Sequence, residues 1–281
     1  MKQFAVLLTV FNRIDFTKKC LSQLEEAIAL CPDCEFDIIL TDDHSTDNTK
    51  EVIGKLFPSV KILDGTGDLF WCRGMINSWK YAEKSEKKYD GYFWLNNDSY
   101  IFPNSLISLI NQSEEKNNKA VISGAFKSAA TNRTTYGGRL KGQTVNLDPD
   151  GTLQKIEWMN GNLVFVPEYV YEKIGMLDST FWHAIGDYDY GLRAIKQNLE
   201  VVLSKDYVGE CEDHEKIEAC YDKKNSLRKR FKNLYTPLGD DPFMRFSFLK
   251  RHYSLGKAIK SFTITHLFVL FPDLMKFYNN K

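Results

Sequence analysis

The sequence predicts an α/β protein: a mostly parallel central sheet with helices on both faces, followed by a basic helical extension at the C-terminus. Three observations predict it. Short β-branched and aromatic runs alternate with helical patterns through the first half of the chain. The runs are continuously apolar rather than alternating, as strands covered on both faces are. The residues that follow each run are polar, and a parallel sheet gathers ligands at the carboxyl ends of its strands. A chain of 281 residues, 43% of them hydrophobic, can bury a full core as one large domain with an appendage.

The elements follow in order. "FAVLLTV" from Phe4 is a strand, Asp15 to Ala29 a helix, "FDIIL" from Phe36 a strand, and Asp47 to Leu56 a helix. "VKIL" from Val60 is the third strand, Met75 to Glu86 a helix, and "GYFWL" from Gly91 the fourth strand. The strands lead into "TVFNR", "TDDHSTD", "DGTGDLFWCRG" and "NNDSY", three of which carry aspartate. "VISGAF" opens the second half, and a polar, glycine-rich segment to Gly151 reads as a loop or hairpin over a cleft. "NLVFVP", "YDYGLRAIKQ" and "EVVL" then read as strand, helix and strand. No internal repeat or low-complexity segment interrupts them. Residues 1–220 form the main domain, in halves of about 1–115 and 116–220, and residues 221–281 the extension.

The neutral total charge hides an asymmetry: residues 221–281 hold thirteen Lys/Arg against four Asp/Glu, and residues 1–220 hold 24 against 33. A body of about −9 thus carries a tail of about +9. Such a tail, rich in aromatics, suits either an anionic membrane surface or another subunit. No recognised nucleic-acid motif accompanies it, so no nucleic-acid partner is expected. Six cysteines without a disulfide-like spacing indicate a reduced cytoplasm. The apolar N-terminus, broken at Asn12 and Arg13, is a buried strand rather than a targeting segment, and "FTITHLFVLF" is too short to span a bilayer. Spacing alone would allow zinc between Cys31, Cys34, Cys211 and His214. The topology opposes it, because "CPDC" precedes a strand and "GECEDH" follows one.

Strand one lacks G-x-G-x-x-G, which disfavours a nicotinamide enzyme. Asp42 and Asp43 read either as ligands or as turn and capping residues. Arg73, at a helix start beside Phe70 and Trp71, suits a diphosphate bearing an organic group, or is a plain surface charge over core aromatics. Asn96, Asn97 and Asp98 in isolation are an ordinary turn.

In sequence order the set is specific. "TVFNR", then "DIILTDDHSTDNT", then "WLNNDSYIFPNSL" resemble the family 2 glycosyltransferases of the GT-A, Rossmann-like fold. The resemblance continues through "NGNLVFVPEYVYEKIGMLDSTFWHAIGDYDYGLRAIKQNLEVV" and covers roughly residues 4–215. It implies that Thr9, Phe11 and Asn12 line a nucleoside pocket, that Asp42 or Asp43 binds the base, and that Arg73 lies near the diphosphate. It also implies that Asp98 coordinates a divalent cation, Mn²⁺ or Mg²⁺, and that Asp187 is the catalytic base of an inverting transfer. Three positions depart from the family pattern: His44 for a glycine, Asn96 for the first acid of D-x-D, and Gly186 for a glutamate. His44 is mild, since His tolerates positive φ.

Expectations for the remaining residues follow. Magnesium sites use one or two carboxylates plus water and substrate oxygens, so Asp98 can suffice, with His214 either a further metal ligand or a structural residue. Asn96 and Asn97 then become neutral hydrogen-bonding groups for ribose or donor sugar. Asp187, before a helix starting near Tyr188, should be held ionised by the helix N-terminus. Asp189 caps that helix or pairs with Arg193. Trp71 faces the donor; Trp182 and His183 either stack on the acceptor sugar or, for Trp182, pack in the core; Asn160 and Gly161 shape the sugar pocket or form a turn.

The expected activity is transfer from a nucleotide-diphosphate sugar, UDP-hexose first and dTDP-rhamnose second. The acceptor is a hydroxyl on a surface polysaccharide, glycolipid or protein-linked glycan. Cytoplasmic location, with or without contact at the inner membrane face, follows. A nucleotidyltransferase would want a G-x-G-x-R loop after strand one, and none is present. A non-catalytic scaffold is suggested only by Asn96 and Gly186.

Overall fold

The structure is a computed structural model, and it describes residues 1–213 and 219–275. The first half realises the alternation as β1 (Lys2–Val10), α1 (Ile14–Ala29), β2 (Cys34–Asp42), α2 (Thr49–Leu56), β3 (Lys61–Asp64), α3 (Phe70–Lys84) and β4 (Gly91–Leu95). After it come β5 (Tyr100–Ile101), α4 (Ser105–Glu115), β6 (Ala120–Lys127), β7 (Thr134–Tyr136), β8 (Gly138–Arg139), β9 (Trp158–Met159), β10 (Leu163–Pro167), α5 (Glu168–Ile174), α6 (Gly186–Lys196) and β11 (Glu200–Glu210). The C-terminal segment is helical: α7 (Leu227–Leu234), α8 (Pro242–His252) and α9 (Leu255–Leu270).

The main sheet runs β3-β2-β1-β4-β10-β6-β11-β5, with β7 added against β6. Parallel pairing holds from β3 to β4; β10 then enters antiparallel between β4 and β6, and β11 resumes parallel pairing with β6. Along β1 the residues alternate between two cores. Phe4, Val6, Leu8 and Val10 face the cluster under α1, α2 and α4, whereas Ala5 and Leu7 face the cluster that holds Trp79, Trp94 and Tyr190. All six are buried, which is why the strand reads as continuously apolar. Each large side chain so buried contributes about 1.5–3 kcal/mol.

Helix α3 begins at Phe70, five residues before the expected Met75, and the reason is a cap supplied from far along the chain. The Asp43 carboxylate accepts the N–H groups of Gly67 (2.8 Å), Leu69 (2.9 Å) and Phe70 (3.0 Å). It thereby satisfies donors that open the helix, and local periodicity cannot reveal such a cap. Trp71 and Arg73 are consequently helical residues. Helices α4 and α5 were not among the expected elements, and β11 is far longer than its apolar "EVVL".

The C-terminal helices do not stand apart from the body. Met244 and Phe248 of α8 belong to the Trp79–Trp94 core, while α7 and α9 close a smaller cluster around Cys220, Leu234 and Val269. Among the described residues, no helix is long and apolar enough to cross a membrane. The six cysteines are free thiols, and Cys34 at the start of β2 and Cys211 beyond the end of β11 sit at opposite edges, against a shared zinc.

Candidate active site

At the carboxyl ends of β1, β2 and β4 lies a cleft of about 370 Å³, walled by Thr9, Phe11, Arg13, Asp43, Phe70, Trp71, Asn96, Asn97, Asp98, His183 and Leu238. The register explains the gathering. β1 and β2 pair over their full lengths up to Val10 and Asp42, and β4 pairs with β1 as far as Trp94 opposite Leu7. Their following loops must therefore open side by side.

Two aspartates expected at the base have different duties. Asp42 turns inward and accepts the N–H of Ser45 at 2.9 Å, outside the cleft lining; Asp43 reaches the cleft while holding the 67–70 loop. His44, directly after Asp43, has φ 65°, the left-handed conformation that a glycine adopts freely and a histidine tolerates. Asn12 is also a scaffold: it takes the N–H of Thr46 on its side-chain oxygen at 2.9 Å and gives its own N–H to Ser45. Phe11, 54% exposed, is left as the apolar wall.

Arg73 is not where the diphosphate was expected to find it. Its guanidinium stacks 3.4 Å over the Trp182 ring and donates from Nε to the Ser179 carbonyl at 2.9 Å, away from the cleft lining. Starting α3 earlier turns position 73 toward the 178–183 loop. The arginine inside the cleft is Arg13, which donates to Asp98 Oδ2 at 2.9 Å. It stands in the quoted "TVFNR", but the sequence assigned it no part, because nothing local links it to a residue 85 positions away.

Asn97 lines the cleft with its amide N–H given to Thr17 at 3.0 Å. Asn96 accepts the indole N–H of Trp71 at 2.6 Å. The Trp71 ring is wedged between two glycines: a Cβ on Gly161 would stand 2.5 Å from Trp71 Cζ2, and one on Gly186 would lie 2.7 Å from Cys72 Sγ and 3.6 Å from Trp71 Cζ3. Gly186, where the resemblance implied a glutamate, is thus a packing requirement of this chain, and Gly161 is more than a turn. Asn160 holds the β8–β9 hairpin, exchanging bonds with the Gly137 backbone. His183 reaches the cleft; Trp182 packs on the core beneath Arg73.

Asp187 sits in the first turn of α6, which starts at Gly186. Its oxygens accept the N–H groups of Tyr188 at 2.9 Å and Gly161 at 3.1 Å. The helix start was expected to dominate its charge. Burial wins instead, pushing the carboxyl up to about 6, while those N–H groups and the nearby Arg139 guanidinium pull the other way. The carboxyl is mostly the anion at neutral pH in either case. Arg139 lies against the rings of Trp158 and Tyr188 at 5.0 and 5.4 Å.

Asp189 pairs with Arg193 as expected, at 2.9 Å, and also binds Arg251 and His252 of α8, each at 2.7 Å. Arg251 reaches Asp178 as well, at 2.7 Å, so α8 clamps both ends of the segment bearing Trp182, His183 and Asp187.

Among the described residues, no three His, Cys, Asp or Glu side chains converge on a metal position. His214, the expected second ligand, lies outside those residues. Asp98 already attracts a cationic group, the Arg13 guanidinium, and one carboxylate with substrate oxygens and water meets the needs of a small divalent ion. The donor set therefore fits an ion that arrives with its diphosphate.

The family model described as "Glycosyl transferase family 2" matches residues 5–170. The chain belongs to that family. The match takes in the cleft residues of β1, β2, α3 and β4 and ends before α6, so Asp187 lies beyond it. No curated protein matches by overall sequence. Among solved structures, this transferase resembles residues 1–349 of TarS from S. aureus in complex with UDP-GlcNAc. The TM-score is 0.55 at 15% identity, over 90% of this chain and 73% of that one. A mannosyltransferase from Pyrobaculum calidifontis, in complex with GDP-Man and Mn²⁺, gives a TM-score of 0.54 at 11% identity over 95% and 69%. At such identities the likeness is one of fold.

Proposed function

We propose that this transferase moves a hexose from a UDP-sugar to an acceptor hydroxyl with inversion at the anomeric carbon, assisted by Mn²⁺ or Mg²⁺ at Asp98. One observation carries the reading: the Trp71 indole links the loop of Asp98 to the glycine that holds Asp187. Trp71 bonds Asn96 and packs against Gly161, whose N–H holds Asp187.

Residue by residue, Phe11 and Thr9 offer the base and ribose a wall, and Asp43 lines the same cleft. Asn96 and Asn97 present neutral amides toward donor oxygens. A divalent ion at Asp98 would supply Lewis-acid stabilisation of the departing diphosphate. Asp187 takes the proton of the attacking hydroxyl. A carboxylate whose pKa is raised toward the working pH is the stronger base, and at about 6 it is still mostly ionised at neutral pH. A growing surface polysaccharide or protein-linked glycan is the acceptor class. Contact with an anionic membrane at the cytoplasmic face draws support from α9, where Leu255, Ile259, Leu267 and Leu270 are exposed along one side of a helix in the basic segment.

The test is a thermal-shift panel of nucleotides and nucleotide sugars with Mg²⁺ or Mn²⁺. UDP and a UDP-hexose should raise the melting temperature, more with metal than with EDTA. A panel with no stabilising nucleotide contradicts the reading.

A further inference from the structure

Arg13 ends the segment that follows β1 and stands as the N-cap of α1, in a left-handed conformation with φ 62°. Its guanidinium, half-exposed, donates to Asp98 Oδ2 at 2.9 Å and passes 6.0 Å from the Phe16 ring. Asp98 is less exposed than its partner, and Arg13 lines the same cleft as Asn96, Asn97 and Asp98. A divalent ion on the same carboxylate opposes the guanidinium, since like charges so close repel. If a cation takes Asp98, Arg13 is released within side-chain reach, beside whatever anion the cation holds.

We propose that Arg13 is a donor-binding residue that exchanges partners. It neutralises Asp98 before the donor arrives, and it moves onto the diphosphate once a divalent ion has claimed Asp98. An arginine suits both positions, because its planar fork matches carboxylate and phosphate oxygens alike. The exchange makes binding of metal and nucleotide mutually dependent: metal alone must displace Arg13 with no new partner for it, whereas metal with diphosphate offers one. The inference rests on the donor reading above and adds a residue and an order of events to it.

The exchange predicts effects of opposite sign. Mn²⁺ alone is titrated by electron paramagnetic resonance, and UDP in the presence of Mn²⁺ by calorimetry, on the wild type, Arg13→Met and Arg13→Lys. Arg13→Met should bind Mn²⁺ alone several-fold more tightly and UDP–Mn²⁺ roughly tenfold more weakly, the scale of one lost charge-assisted phosphate contact. Arg13→Lys keeps the charge and should fall between for both ligands. Wild-type UDP binding with no change in Arg13→Met, or bare Mn²⁺ affinity that falls or stays level in it, overturns the exchange while leaving the donor reading intact. A wild type that binds no nucleoside diphosphate overturns the donor reading itself.

Discussion

The indole N–H of Trp71 donates to the side-chain oxygen of Asn96 across 2.6 Å, tying α3 to the loop that carries Asp98. An aspartate at 96 would accept the same bond, so the bond does not require asparagine. What asparagine provides is neutrality beside Asp98. Removing only the N–H, with Trp71→Phe, should cost about 1 kcal/mol of donor affinity, or roughly fivefold, through a loosened Asn96. Asn96→Asp should keep the bond and tighten Mn²⁺ binding. Calorimetry on both variants checks the pair.

With Asp187 as the proposed base, the acid limb of the pH–rate profile should be its titration. Its folded pKa is raised to about 6 by burial, so the base is the anion above that pH and is protonated below it. The rate, as kcat/KM, should fall about tenfold per pH unit below about 6 and be flat above. Arg139→Met removes a charge that favours the anion, so the limb should move to higher pH. An unmoved limb separates Arg139 from the base.

Gly186 tests whether this position has room for any side chain. Gly186→Ala places a Cβ 2.7 Å from Cys72 Sγ and should cost about 1–3 kcal/mol of stability, read as a lower urea midpoint, with a drop in kcat as Asp187 shifts. Adding Cys72→Ala should restore much of it, because the two sites share the contact.

Arg251 binds Asp178 and the fully buried Asp189 together. Arg251→Met leaves Asp189 with Arg193 and His252 only, and the loss should be about 2 kcal/mol, less than for an isolated buried pair. Chemical denaturation measures it. Because the clamp holds the segment of His183 and Asp187, acceptor KM should rise as well; donor affinity should not change.

The parallel half of the fold was legible because burial on both faces writes continuous apolar runs, and the order of polar strand ends located the cleft. Thr9, Phe11, Asn97 and Asp98, at or just beyond two of those strand ends, do line that cleft. What escaped depends on contacts distant in sequence. The start of α3 is set by Asp43, 24 to 27 positions earlier, and that displaced Arg73 from its expected place. Arg13 meets Asp98 only through the pairing of β1 with β4. Leu238, 67% exposed on the rim of the cleft, comes from a C-terminal segment that composition alone marked as an appendage.

The most direct measurement is proton NMR of slow UDP-hexose hydrolysis with Mn²⁺, comparing the wild type with Asp187→Asn and Asp98→Ala. The wild type should show metal-stimulated release of the hexose in inverted configuration. Asp187→Asn should release none while still binding UDP, and Asp98→Ala should lose the metal-dependent part of binding. Undiminished release by Asp187→Asn, or retained configuration in the wild type, would contradict the proposed mechanism.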